Sequence, residues 1–198
     1  MGRRYLMIAL LAEGPSDPWF LLPLINRQVE ALATDAAGGF DFGDAFRGEC
    51  FTVAPREQVL KEVESLLKDM DLVIIHHDHN ERGKVESLQG ALSRPQDAER
   101  VIGIVPVRET EAWMLADPAA LPEAPASVVR DLVRSPREVE KVTDPKKILA
   151  QAFGPRHRPE RDFDRLGQHV SLDMLRQVPA YDRWVRDLHG ALERLRFL

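Results

Sequence analysis

The chain has one cysteine, two tyrosines and no apolar run long enough to span a bilayer. Each scarcity excludes something. Cys50 alone cannot form an intramolecular disulfide or build a cysteine zinc site, and a lone thiol suits a reducing cytosol. A transmembrane helix needs about 20 consecutive apolar residues. The apolar run in MGRRYLMIALLAEG stops at Glu13 with no small-residue cleavage site, so it reads as a buried strand and not as a signal peptide. A net charge of −5 argues against a general nucleic-acid coat protein. What is present is ordinary for a soluble cytoplasmic protein. A chain of 198 residues, 44% hydrophobic and 30% charged, suffices for one domain with a helical appendage.

Acids outnumber bases 20 to 12 in residues 1–117, whereas bases outnumber acids 15 to 12 in residues 118–198. That polarity is compatible with a metal-binding part and a phosphate-facing part, and equally with solvated helix faces.

Four apolar runs have strand length: Tyr5–Leu11, Cys50–Ala54, Leu72–His76 and Val101–Val105. Helical stretches lie between them. Pro18–Ala33 has Ser16 or Asp17 as its N-cap, and Pro23 is expected to kink it or delay its start. In REQVLKEVESLLKDM, residues Val59, Leu60, Val63, Leu66 and Leu67 recur at helical spacing. Gly38–Phe46 reads as a loop and Lys84–Ser93 as a short helix. Alternating strands and helices predict an α/β fold with a mostly parallel sheet flanked by helices. Beyond Asp117, eight prolines separate short helical pieces such as Lys146–Phe153, Leu172–Val178 and Tyr181–Leu195. Residues 1–117 are thus expected to form the α/β core, and 118–198 a C-terminal helical layer packed on the same domain.

The acids fall at strand ends. Glu13, in AEGPSD, follows the first strand; Asp78 follows the Leu72–His76 run; Glu109 and Glu111, in VPVRETEAWMLAD, follow the last. Open parallel sheets bind ligands beyond the carboxyl ends of their strands, so these carboxylates converge if the strands are neighbours. Converging carboxylates repel unless a cation neutralises them, and an oxygen-rich set suits Mg²⁺ or Mn²⁺. Gly14 permits a tight turn before a helix N-terminus that favours phosphate, although the Walker spacing is missing. In LVIIHHDHNERG, strand alternation puts His76, Asp78 and Asn80 on one face, with His77 and His79 on the other. A zinc site from His76, His77 and His79 is the less favoured alternative, because neighbours on opposite faces do not converge. Trp113 and Met114 read as core.

EGPSD, DLVIIHHDHN, the ETEAWMLADP block, DPKKIL and the ending SLDMLRQVPAYDRWVRDL resemble the Toprim-related bacterial family called domain of unknown function 4276. EAWMLADP is the most specific of these motifs. The wider likeness is to the Toprim fold of topoisomerases, primases and OLD-family nucleases. That resemblance implies Glu13 as a general acid/base or metal-organising residue and Asp78 as the first metal-binding aspartate. Asn80 stands where the second aspartate of the family pattern is expected, a neutral amide in place of a carboxylate. Asp17, Glu109 or Glu111 could restore the missing charge. The implied function is a divalent-metal-dependent nuclease or phosphoryl-transfer protein acting on DNA or RNA, in bacterial phage defence or DNA repair, with an AAA/ABC-type ATPase as a partner. Arg82, Lys84 and Arg108, with Lys146 and Lys147, are the expected phosphate contacts. The rival reading is a catalytically inactive binding or regulatory partner of such an ATPase.

Overall fold

The computed structural model describes residues 4–36, 39–121 and 133–198. Its sheet is parallel. β2 (Ile8–Leu11), β4 (Phe46–Arg47), β5 (Leu72–His76) and β6 (Val101–Ile104) lie in the order β4-β2-β5-β6. Before them, β1 (Tyr5–Leu6) pairs in parallel with β3 (Asp41–Phe42). Chain order reverses around β2, which pairs with β4 on one side and β5 on the other. The crevice beyond the β2 and β5 ends is therefore the switch point where such sheets bind ligands.

Helices cover both faces, which is why the strands read as unbroken apolar runs. Strand parity assigns the sides. Ile8, Leu10, Leu72, Ile74, Ile102 and Ile104 face α1 (Asp17–Asp35) and the C-terminal helices; Leu11, Val73, Ile75 and Val101 face α2 (Arg56–Leu66) and α3 (Arg82–Ala91). Burying each of these aliphatic side chains contributes roughly 1.5–3 kcal/mol. The same core as α1 takes in Trp113 and Met114 of α4 (Thr110–Met114), Leu149 of α5 (Pro145–Phe153) and Leu166 of α6 (Pro159–His169). It continues through Leu175 of α7 (Leu172–Leu175) and Tyr181, Trp184 and Leu188 of α8 (Pro179–Arg194). Where α6 crosses α1, a Cβ on Gly167 would come within 2.5 Å of the Phe20 carbonyl oxygen and of Pro23 Cγ, so only glycine permits this approach.

Several boundaries differ from expectation. Cys50–Ala54 is not a strand. Only the Thr52 amide reaches back to the first strand, at the Ala12 carbonyl, and the chain then turns. The second strand lies earlier, as β3 inside the segment expected to be a loop and β4 starting at its last residue; Gly38 falls outside the described residues. These edge strands are short and partly exposed, so they carry little of the apolar signal that marks β5. The first strand is interrupted at Met7, whose amide donates to the Asp71 carboxylate at 2.9 Å instead of to the ladder. α1 begins at Asp17 and continues through Pro23. The Leu172–Val178 piece ends at Leu175, and the last helix starts at Pro179. Among the described residues, no helix is long and apolar enough to cross a membrane.

Candidate functional site

Register fixes the heights of the candidate residues. Leu11 pairs with Ile75 and His76 with Ile104, so Glu13 rises beside His77 and Asp78 just beyond the paired strands. The Asp78 amide donates to Glu13 Oε2 at 2.9 Å. Two acids from separate strands are thereby locked together by one backbone bond, at the switch point.

Parity then separates the two adjacent histidines. His76 continues the α1 face of β5 and is wholly buried. Its Nε2 lies 3.1 Å from Asp78 Oδ1 and 2.8 Å from Thr110 Oγ1; its Nδ1 lies 3.3 Å from Asp17 Oδ2. The Glu13 amide also points at Nδ1, at 3.2 Å. These two neighbours ask for opposite states, since the amide needs a lone pair and Asp17 needs a proton. Two carboxylates outweigh one amide. Burial alone would lower the His76 pKa, but Asp17 and Asp78 push it up to about 9. Against its own burial, Asp78 is held below the ordinary carboxylate range by His76, Lys146 and the Thr110 amide.

His77 faces the other way. Its Nδ1 lies 3.3 Å from Thr52 Oγ1 and 3.4 Å from Glu13 Oε2. Burial, together with nearby Lys84 and His76, pushes its pKa down despite Glu13. His77 forms part of the wall of a cavity of about 490 Å³ between α2 and α3, whose other walls include Arg56, Val59, Lys84 and Leu88. Glu13, His77 and Glu81 present ligand atoms within 4.8 Å of one another, a spacing open to a metal ion. Glu81, however, is ion-paired with Lys84.

On the Asp78 side, Glu111 is 3% exposed and its Oε2 has no hydrogen-bond partner. Burial, helped by Asp78 and Asp17, pushes its pKa up to about 7 even though Lys146 opposes the shift. Lys146 Nζ lies 3.8 Å from Glu111 Oε1 and 3.3 Å from Glu109 Oε1. Burial alone would lower the lysine pKa; these two carboxylates raise it.

The structure thus brings Glu13, Asp17 and Asp78 into one network through His76, with Glu109 and Glu111 alongside under Lys146. Asn80 is elsewhere. His79 and Asn80 adopt left-handed backbone, φ 56° and 57°, and both are exposed. The strand has ended by then, so alternation no longer carries Asn80 to the face of His76 and Asp78. Nor do the three histidines of the zinc alternative share a point. Of the expected phosphate contacts, Arg82 is bonded to Asp187 at 2.8 Å, Lys84 is held by Glu81, and Arg108 is exposed. Sequence reasoning missed Thr52, Glu81 and Thr110. Only Thr110 had a signal, because it sits between the two acids of ETE.

Carboxylates from three strand ends thus lie along one edge of the sheet, and among the described residues Glu13, His77 and Glu81 are the group whose ligand atoms lie close enough together for one ion. No curated protein and no solved structure matches the chain. The family described as Domain of unknown function (DUF4276) matches residues 12–189, a span that begins one residue before Glu13 and takes in every site residue named above, so the chain belongs to that family.

Proposed function

We propose that the protein is a divalent-cation-dependent phosphodiester hydrolase of the Toprim type, a nuclease using Mg²⁺ or Mn²⁺. The observation that carries this reading is the Asp78 amide bond to Glu13 Oε2, which ties two acid-bearing strand ends together at the switch point. The donor set offers carboxylate oxygens without competing hydrogen bonds. Among the described residues, Glu13 Oε1 and Asp78 Oδ2 take no hydrogen bond, and Glu111 Oε2 is buried without one. Hard oxygen donors of this kind suit Mg²⁺ or Mn²⁺ better than zinc.

Glu13, Asp78 and Glu111 are the residues that would hold the cation. When bound, the ion polarises a phosphoryl oxygen and acidifies water. The chain's own residues do the rest. Asp17 and Thr110 hold the His76 ring, His76 holds Asp78, and Asp78 positions Glu13. Glu13 and His77, with Oε2 and Nδ1 3.4 Å apart, form a proton-accepting pair whose imidazole lines the α2–α3 cavity. Arg56 on that cavity wall supplies positive charge for a nucleic-acid backbone, whereas Lys84 there is paired with Glu81.

The test is cleavage of single- and double-stranded DNA and RNA with Mg²⁺, Mn²⁺ or chelator, beside direct Mn²⁺ titration. Metal-dependent cleavage lost in Glu13→Gln is expected. Protein that neither binds Mn²⁺ nor cleaves any of these substrates would remove the enzyme reading. The position of Asn80, exposed on a turn with no carboxylate of its own, favours the second reading, an inactive binding partner of an ATPase. Retained Mn²⁺ binding without cleavage is its signature.

A further inference from the structure

Lys146 is placed unlike the other cations near the site. Arg82 reaches Asp187 at 2.8 Å and Lys84 reaches Glu81, each a one-to-one pair. Lys146 instead lies between two carboxylates at 3.3 Å and 3.8 Å, the longer contact beyond hydrogen-bonding range. Its side chain is 56% exposed, while that of Glu111 is only 4% exposed. The lysine therefore caps the acid cluster from outside without satisfying it. Glu111 Oε2, fully buried and unpartnered, is the atom left over. A buried carboxylate oxygen without a donor is costly, by about 1–3 kcal/mol or more for a charged group. A single ammonium held at long range offsets only part of that cost.

α5 explains why the lysine is there. The Asp144 side chain accepts from the Lys147 amide at 2.9 Å and caps the helix, and Pro145 is buried at its start. Lys146 in the first turn is consequently presented toward Glu109 and Glu111 by a fixed backbone, while its flexible four-carbon stem leaves the charge free to swing outward.

We propose that Lys146 is a tethered counter-cation that occupies the approach to Glu109 and Glu111 and competes with a divalent ion for them. This rests on the metal reading above. Ion binding displaces the ammonium, which then stands at the rim of the site as a free donor for a substrate phosphate. A lysine is suited to this exchange because it is a point charge with rotatable donors, whereas an arginine fork would grip the carboxylates.

The experiment is Mn²⁺ titration of the full chain by electron paramagnetic resonance, comparing wild type with Lys146→Met, Lys146→Arg and Lys147→Met, each first shown to be folded by circular dichroism. Lys146→Met is expected to bind Mn²⁺ about tenfold more tightly. Lys146→Arg, which keeps the charge and the fold, is expected to bind no more tightly than wild type. Lys147→Met carries the same charge change on a residue with no carboxylate contact among the described residues, and it should bind as wild type does. Affinity unchanged or weakened in Lys146→Met, with wild type binding normally, overturns the competition alone. Equal gains in Lys146→Met and Lys147→Met also overturn it, because overall charge then explains the effect. Absence of binding in all four proteins overturns the metal reading and the competition with it.

Discussion

His76 and His77 are identical side chains one residue apart, and the sheet sends them into opposite surroundings. His76 sits between Asp17 and Asp78 with Thr110 on the same nitrogen as Asp78, sealed from solvent and pushed up to about 9. His77 has one carboxylate at 3.4 Å, that of Glu13, with one hydroxyl and a cavity beside it, and burial pushes its pKa down. One ring behaves as a fixed internal cation, the other as a neutral base beside open space. The lesson is that charge balance, and not residue type, sorts structural from reactive groups here. A ring shared by two acids is saturated; a ring with a single acid and room beside it retains capacity for a ligand or a proton.

The largest test of that contrast is stability. His76→Ala leaves Asp17 and Asp78 facing each other in a buried site, and removing one member of a buried charge network costs about 3–5 kcal/mol. His77→Ala removes only weak contacts at 3.3 Å and 3.4 Å and should cost about 1 kcal/mol. Urea unfolding of both variants measures the difference. Equal losses would erase the distinction between the two rings.

The pH dependence sharpens it further. The His76 pKa is raised in the folded state, so its contribution to stability is complete below its ordinary 6.5 and is lost as pH rises through about 9. Glu111 is also raised, from 4.5 to about 7, so its contribution is complete below pH 4.5 and lost through about 7. In chelator, stability should therefore fall in two limbs of about 3 kcal/mol each between pH 4.5 and 9, the lower one partly offset by His77, whose lowered pKa adds stability as pH climbs toward 6.5. Glu111→Gln should flatten the lower limb and His76→Asn the upper one, while His77→Asn should leave the upper limb in place. An upper limb that survives in His76→Asn would place the titration elsewhere.

Much of this contrast was legible beforehand. The fully apolar run of β5 and the position of Glu13 after the first strand set the sheet and its functional edge, because central strands carry the strongest burial signal. The edge strands were misplaced for the converse reason. CFTVA is more apolar than DFGDAFR, yet pairing by β3 and β4 depends on backbone bonds that side chains do not advertise. Alternation placed His76 and Asp78 together, as the 3.1 Å contact now shows, but it was carried one step too far to Asn80. A left-handed turn breaks a period of two, and asparagine is a residue that tolerates that backbone. What sequence could not reveal was the pairing of charges: that Arg82 is committed to Asp187, that Lys146 lies over Glu111, and that Thr52 reaches both histidines.

A smaller effect separates the two flanks as cation sites. Glu13, His77 and Glu81 are close enough to bind an ion, but Glu81 already answers Lys84 on the surface. If the ion prefers Glu13, Asp78 and Glu111, Asp78→Asn should weaken Mn²⁺ binding by about 10–100-fold, and Glu81→Gln by less than about threefold. Isothermal titration calorimetry of the two variants decides it. A larger loss in Glu81→Gln would move the ion to the His77 side of β5.

The smallest expected effect tests Thr52, which like Glu13 touches both histidines. Thr52 donates to the His76 carbonyl at 2.8 Å, and the same hydroxyl lies 3.3 Å from His77 Nδ1. With that proton given to the carbonyl, the hydroxyl oxygen can only accept from His77, so Nδ1–H is favoured and Nε2 is left with the lone pair. Thr52→Val keeps the shape and leaves only Glu13 Oε2, at 3.4 Å, to favour Nδ1–H. Loss of a net hydrogen bond should cost about 1 kcal/mol in unfolding free energy. The more telling measurement is the nitrogen chemical shifts of the two imidazoles. The His77 preference for Nδ1–H should weaken in Thr52→Val, whereas His76, held by Asp17, Asp78 and Thr110, should not change. A His76 spectrum that moves with the His77 one would show that the two rings titrate as a single unit, and the contrast between them would fail.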